Sequence, residues 1–315
     1  MDIGGLLNYG TWFLIMASIY TILTLALNIQ WGLTGLFNLG IAGFFAVGAY
    51  TSAILCAPPH HAFIGGFGMP IVVGVIAAMV ASSIVAFIIG IITVRLRTDY
   101  LAIASIGVAE IIRLALKNEE WLTNGVRGIP GIPGLFHGNA TLTAITLVVF
   151  VAITYFLVER SRISPWGRIL RAQRENEQGT IAAGKDTNRF RLESFVVGSA
   201  LMGLAGAFYA HYIGFITPKA FMPLFGTFLV WVMLIVGGSG NTLGALIGGF
   251  AIWLLWSGTQ LLTGILPAGM ATQVGAVRIL LVGVLLQVVL LLRPQGLLPE
   301  KQVALIPKRS KPNRD

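Results

Sequence analysis

Nine apolar segments follow one another along the chain, at 11–28, 32–55, 69–94, 100–116, 142–158, 195–215, 224–236, 243–262 and 274–292. A helix needs roughly 20 predominantly apolar residues to cross the hydrocarbon of a bilayer, and most of these segments come close to that length. Segments such as 71–93 do not alternate, as the strands of a transmembrane β-barrel do over about 10 residues. The expected fold is therefore all-α, a polytopic integral membrane helical bundle of about 8–10 spans. Residues 1–315 are read as a single transmembrane domain. Glycines interrupt the second segment, which is expected to bend or to re-enter. The seventh is short for about 30 Å of hydrocarbon and crosses only with its flanks, if at all.

Composition agrees. Charged residues make up 10% of the chain, against about a quarter in soluble proteins, and the mean hydropathy is +0.84. The 39 glycines suit close helix approach in lipid. The single cysteine, Cys56, rules out an intramolecular disulfide and is expected to act as a small buried residue. The start, Met1-Asp2-Ile3-Gly4, lacks a basic n-region, so the first apolar segment reads as a retained span.

The net charge of +9 raises the question of nucleic acid, and its placement answers against it. Eight basic residues fall within 159–193, six within 293–315, and two more are Arg95 and Arg97. These sites share one side if four spans lie between the loop and the tail, and cytoplasmic loops are the ones enriched in Lys and Arg. The N-terminus is then outside, and the loop at 159–193 and the tail at 293–315 are cytoplasmic. The outer loops differ in kind. Residues 56–68 carry no charge, and 117–140 contain Gly128-Ile129-Pro130-Gly131-Ile132-Pro133-Gly134, which no continuous helix can accommodate. That stretch is either a plain connector or a rigid cover on which an external partner docks.

Signals of reaction chemistry are scarce. His60, His61, His137 and His211 have no metal-ligand spacing. There is no Walker A phosphate loop and no nucleophile elbow. No catalytic residue, metal or cofactor is expected, and ATP hydrolysis would have to come from another chain.

The inner loop is the most informative stretch. Ser164-Pro165 starts a helix, with serine as cap and proline at the first position. Helix formers continue through Arg174-Glu175-Asn176-Glu177, Gly184 terminates, and Asp186-Thr187-Asn188 starts the next helix. A connector needs only a few residues. The loop is either an amphipathic helix on the membrane surface or a docking element for a cytoplasmic protein, and its mixed charge favours docking.

Arg174-Glu175-Asn176-Glu177, with Gly184 and Arg189-Phe190-Arg191-Leu192, resembles the cytoplasmic loop of LivM-type permeases, subunits of branched-chain amino-acid ABC importers. The family usually has Ala-Ala just after the acidic residue, where this chain has Gly179-Thr180. Three further stretches are similar in the same order. Trp31 to Gly40, continuing through Phe44 to Tyr50, looks like the N-terminal signature. Glu110-Ile111-Ile112-Arg113, with Leu122-Thr123-Asn124-Gly125 and 128–133, looks like the central one. Gly237-Gly238-Ser239-Gly240-Asn241-Thr242-Leu243-Gly244 looks like the C-terminal one. LivH-type sister permeases usually carry an Asn-Phe-Ala-His-Gly-like run where this chain has Asn38-Leu39-Gly40-Ile41-Ala42.

The resemblance implies a bacterial inner-membrane subunit that moves branched-chain or neutral amino acids. It implies a LivH-type sister permease as heterodimer partner, two cytoplasmic ABC ATPase subunits and an external substrate-binding protein. Arg174, Glu175, Asn176, Glu177, Ala182 and Gly184 would couple to the ATPase. Thr34, Asn38, Gly40, Gly43 and Tyr50 are expected on the translocation path, with the helix broken between 34 and 40, because Gly-interrupted spans mark such paths. Tight packing through small residues is the competing reading. Glu110 and Arg113, at i and i+3, are expected to form an intramembrane ion pair, either clamp or gate. The glycines of 237–244 are read as a tight inner turn. The rival reading is a self-contained secondary transporter or channel, and urea or another small amide is the alternative substrate.

Overall fold

A computed structural model describes residues 3–59, 64–263 and 274–300. Nine helices correspond to the nine apolar segments: α1 (Ile3–Leu27), α2 (Ile41–Cys56), α3 (Ile71–Thr93), α4 (Thr98–Asn118), α6 (Ala140–Ile163), α9 (Thr187–Ile213), α10 (Leu229–Gly237), α11 (Thr242–Thr263) and α12 (Val274–Leu292). Three short helices lie between them: α5 (Glu120–Thr123) after α4, then α7 (Pro165–Glu175) and α8 (Glu177–Ala182) after α6. The chain is an all-α polytopic membrane protein. Among the described residues, five helices are long and apolar enough to cross a bilayer: Leu7–Leu33, Ile71–Thr93, Ala140–Ile163, Thr187–Ile213 and Thr242–Thr259. Ile41–Cys56, Leu224–Gly237 and Ile279–Leu292 are shorter apolar helices. α4 is long but carries Asp99, Glu110, Arg113 and Lys117. The seventh segment reaches its length through a π-helical turn, Leu224–Phe228, that leads into α10.

α1 is the axis of the bundle. It is apolar all round, as an enclosed helix must be, and from Ile15 through Leu27 every residue is buried. α6, α9, α10 and α11 pack around it. α3 and α6 instead expose one apolar face, with Ile76, Ile84, Ile88 and Ile92 on the first and Ile145, Val149, Ile153 and Phe156 on the second. Such faces suit lipid.

α2, α3 and α9 form a second tightly packed group. A Cβ on Gly48 of α2 would run into the backbone of Gly203 on α9, so the two helices cross at van der Waals contact. Attraction between transmembrane helices rests on this kind of packing, because lipid tails are as apolar as leucine.

Contacts sort the connections onto two ends. The segment 128–132 pairs with 214–216, through Ile129 N to Ile216 O at 3.0 Å and Ile132 N to Gly214 O at 3.0 Å. The opposite end gathers α7, Gly32, the 237–241 turn and the start of the tail. The basic loop and the first tail residues therefore share one end. Lys301, Lys308, Arg309, Lys311 and Arg314 of the tail lie outside the described residues, as do His60 and His61.

Candidate functional site

The first and second apolar segments do not divide where the sequence suggests. Gly32 and Leu33 belong to the first helix, which ends in a π-helical turn, Asn28–Leu33. The glycine expected to open the second span instead lets the first one finish against its neighbours. Residues 34–40 then have no regular structure before α2 begins at Ile41. α2 has 16 residues, roughly 24 Å of helix, which is shorter than an about 30 Å hydrocarbon layer. The irregular backbone before it is largely buried and needs partners from the protein.

Side chains from three other elements supply them. Leu39 N donates to Ser105 Oγ of α4 at 2.9 Å. Trp231 Nε1 of α10 donates to Asn38 O at 3.0 Å. Thr227 Oγ1 accepts from Ala42 N at 3.2 Å and donates to Leu39 O at 3.3 Å. The Asn38 amide bonds Gln30 Oε1 at 2.8 Å and Gly40 N at 2.7 Å. Gln30 Nε2 in turn donates to Phe195 O of α9 at 2.9 Å. Trp31, Phe37 and Trp231 pack their rings 4.7 to 5.4 Å apart beside the break.

Of the residues expected on the path, Thr34, Asn38, Gly40, Gly43 and Tyr50 are all buried. Thr34 Oγ1 bonds Ile29 O at 3.0 Å, and Gly43 lies against Ala109 of α4. Tyr50 packs against Phe221, and its buried hydroxyl has no protein partner. The break is thus a closed, hydrogen-bonded knot in this structure. Gln30, Ser105, Thr227 and Trp231, which complete it, carry no local motif that marks them.

The loop at 159–193 forms two helices, not one. Ser164 Oγ accepts from Gly167 N at 3.3 Å to start α7. Asn176 ends α7 in extended conformation and caps α8 by accepting from Gly179 N at 2.9 Å. The helix expected to run through Glu177 is split there because an asparagine side chain competes with the backbone ladder. Gly184 has φ +74°, and Asp186 caps α9 by accepting from Arg189 N at 3.2 Å.

The residues expected to couple fall into two sets. Glu175, Asn176, Ala182 and Gly184 are exposed, and Ile181 beside them is 49% exposed. Glu177 is held by Arg191 at 3.0 Å. Arg174 turns inward: its Nη1 donates to Gly32 O, and its Nη2 lies 2.6 Å from Glu300 Oε2. Nothing in the sequence links residues 174, 32 and 300. The 237–241 turn closes the same cluster, with Gly240 N donating to Asn28 Oδ1 at 2.9 Å.

Arg113 and Glu110 form a two-pronged ion pair, at 2.8 and 2.5 Å. It sits on a half-exposed face of α4, with the Glu110 side chain 40% exposed, and not in the middle of the bundle. At the other end, buried His211 joins the glycine- and proline-rich loop to α2, through Pro133 O at 2.8 Å and Ser52 Oγ at 2.8 Å.

The family profile described as branched-chain amino acid transport system / permease component matches residues 11–290. The chain is 32% identical to the high-affinity branched-chain amino acid transport system permease protein LivM of Salmonella typhimurium, over 90% of this chain and 68% of that protein. It is 29% identical to the probable branched-chain amino acid transport permease protein LivM of Methanocaldococcus jannaschii, over 95% of each. It is 25% identical to the LivH permease protein of Escherichia coli K12, over 75% of this chain and 80% of that one. No solved structure matches.

Proposed function

The chain belongs to the branched-chain amino acid transport system permease family, and from that premise we propose that it is the membrane-spanning subunit of an ATP-driven importer of branched-chain or other neutral amino acids. It spans the bacterial inner membrane with its N-terminus outside and its tail in the cytoplasm. A LivH-type permease completes the pathway as a heterodimer. Two ATPase subunits dock on the exposed face of α7 and α8, and an external binding protein delivers the substrate. One observation carries this reading. The first two apolar helices are joined by irregular, largely buried backbone, tied by side chains from three elements and bonded to the two-helix loop at 159–193. Such a break frees N–H and C=O groups that suit the charged ends of an amino acid once the knot opens. The side chains of the knot hold those groups while the path is closed.

The test is to purify the tagged chain with its partners from native membranes and reconstitute the complex in liposomes. Uptake of radiolabelled leucine should require ATP and loaded binding protein. Uptake driven by an ion gradient without nucleotide would support a secondary transporter instead, and uptake of urea but not leucine would change the substrate.

A further inference from the structure

Arg174 is the one member of the expected coupling motif that points away from the exposed face, and its two partners lie in parts of the chain far from the loop. Its side chain is held at three places. Nη1 donates to the carbonyl of Gly32, in the last turn of the first span. Nη2 pairs with Glu300 at 2.6 Å. Its aliphatic stem lies over Gly35, where a Cβ would stand 3.0 Å from Arg174 Cγ. Glu300 is itself anchored. Leu297 N and Leu298 N donate to Val236 O and Gly237 O, at 2.8 and 3.0 Å. Asn241 Nδ2 donates to Pro299 O at 3.0 Å.

The position of the Gly32 contact matters. Irregular backbone begins two residues later, at Thr34. Gly35 N and Leu36 N still bond back to Trp31 O and Gln30 O of the first helix, and from Asn38 O to Gly40 N the chain takes side-chain bonds from Trp231, Ser105, Thr227 and Asn38. A displacement of α7 is therefore delivered to the rim of the least regular membrane segment described. A charge-assisted bond from a planar guanidinium suits this task, since it holds both distance and direction.

We propose that Arg174 is a positioning residue that transmits movement of the α7–α8 surface to the helix break, with Glu300 orienting its guanidinium, and that it is not itself a contact for the ATPase. This inference rests on the function proposed above.

The experiment compares Arg174→Lys, Arg174→Met and Glu300→Gln in the reconstituted complex. It measures ATPase subunits bound, ATP hydrolysed and leucine taken up. Arg174→Lys and Arg174→Met should keep the ATPase bound and hydrolysing, while leucine moved per ATP falls by about tenfold, the size of a typical coupling between sites. Glu300→Gln should lower the same ratio by a smaller factor. Parallel loss of ATPase binding, hydrolysis and uptake would make Arg174 a docking contact and overturn the proposal. An unchanged ratio in complexes that assemble would overturn it too, leaving Arg174 a purely structural role. If the Arg174→Met complex fails to assemble, Arg174→Lys and Glu300→Gln decide by the same ratio. Failure of the unaltered complex to take up leucine with ATP would instead strike the functional reading on which the inference stands.

Discussion

Arg174 and Glu300 are 126 positions apart in sequence, yet Arg174 Nη2 lies 2.6 Å from Glu300 Oε2. That ion pair fastens the loop at 159–193 to the start of the C-terminal tail, and the same guanidinium reaches the Gly32 carbonyl in the first span. α7, the end of the first span and the start of the tail thus meet at one side chain.

The glycine turn beside this pair has no room for change. Gly240 has φ +83°, and a Cβ there would stand 2.7 Å from Glu300 Oε2. Gly240→Ala should destabilise the chain by about 1–2 kcal/mol from backbone strain alone. The measurement is the melting temperature of the purified complex, and an unchanged value would show that the turn adapts freely.

The knot at the helix break can be loosened without removing its aromatic packing. Trp231→Phe keeps a ring against Phe37 but removes the donor to Asn38 O. An unsatisfied buried carbonyl costs about 1–3 kcal/mol, so the variant should melt earlier. Ser105→Ala, which leaves Leu39 N without its acceptor, should behave alike.

Close approach of α2 and α9 at Gly48 and Gly203 gives a steeper prediction. Gly48→Leu inserts a side chain where backbone already touches backbone. Overpacking costs about 1–3 kcal/mol or more, and the folded yield in detergent should fall sharply. Normal yield and melting would mean that the two helices do not cross there.

Glu110 and Arg113 should matter less to the isolated chain than a buried pair would. Glu110 is 40% exposed, so removing one partner should cost at most about 1 kcal/mol. Glu110→Gln is therefore expected to melt near the unaltered chain. If the same change is far more damaging in the whole complex, a partner subunit covers this face.

The orientation of the inner loop can be read chemically. Cys56 is the only cysteine and is buried, which leaves a quiet background. Ala182→Cys on the exposed end of α8 should crosslink to the ATPase and resist impermeant thiol reagents added to intact cells. Labelling from outside would overturn the assigned orientation.

Much of the fold is legible along the sequence, because its signals are local. Each long helix carries its own apolar run, Ser164 and Asp186 cap the helices that follow them, and the glycines of 32–40 announce a break. The Glu110 and Arg113 spacing likewise foretells a pair one helical turn apart. The extent of the first helix and the split at Asn176 were not legible. The first depends on partners from distant elements, Gly240 at Asn28 and Arg174 at Gly32, and the second on an asparagine that can either continue one helix or cap the next.

By itself the sequence determined that this chain must live in a bilayer as helices, since segments so apolar cannot remain in water and must close their own backbone bonds. Its ordered motifs also determined the family resemblance. Only the tertiary structure decided what individual polar residues do. An arginine in a basic loop reads as surface charge until packing brings Gly32 and Glu300 to it, and nothing local shows that Gln30 and Trp231 will bond Asn38. The physical reason is range. Hydrophobicity and capping act over a few residues, whereas most of these polar contacts join positions more than a hundred apart, and no local pattern encodes such a meeting.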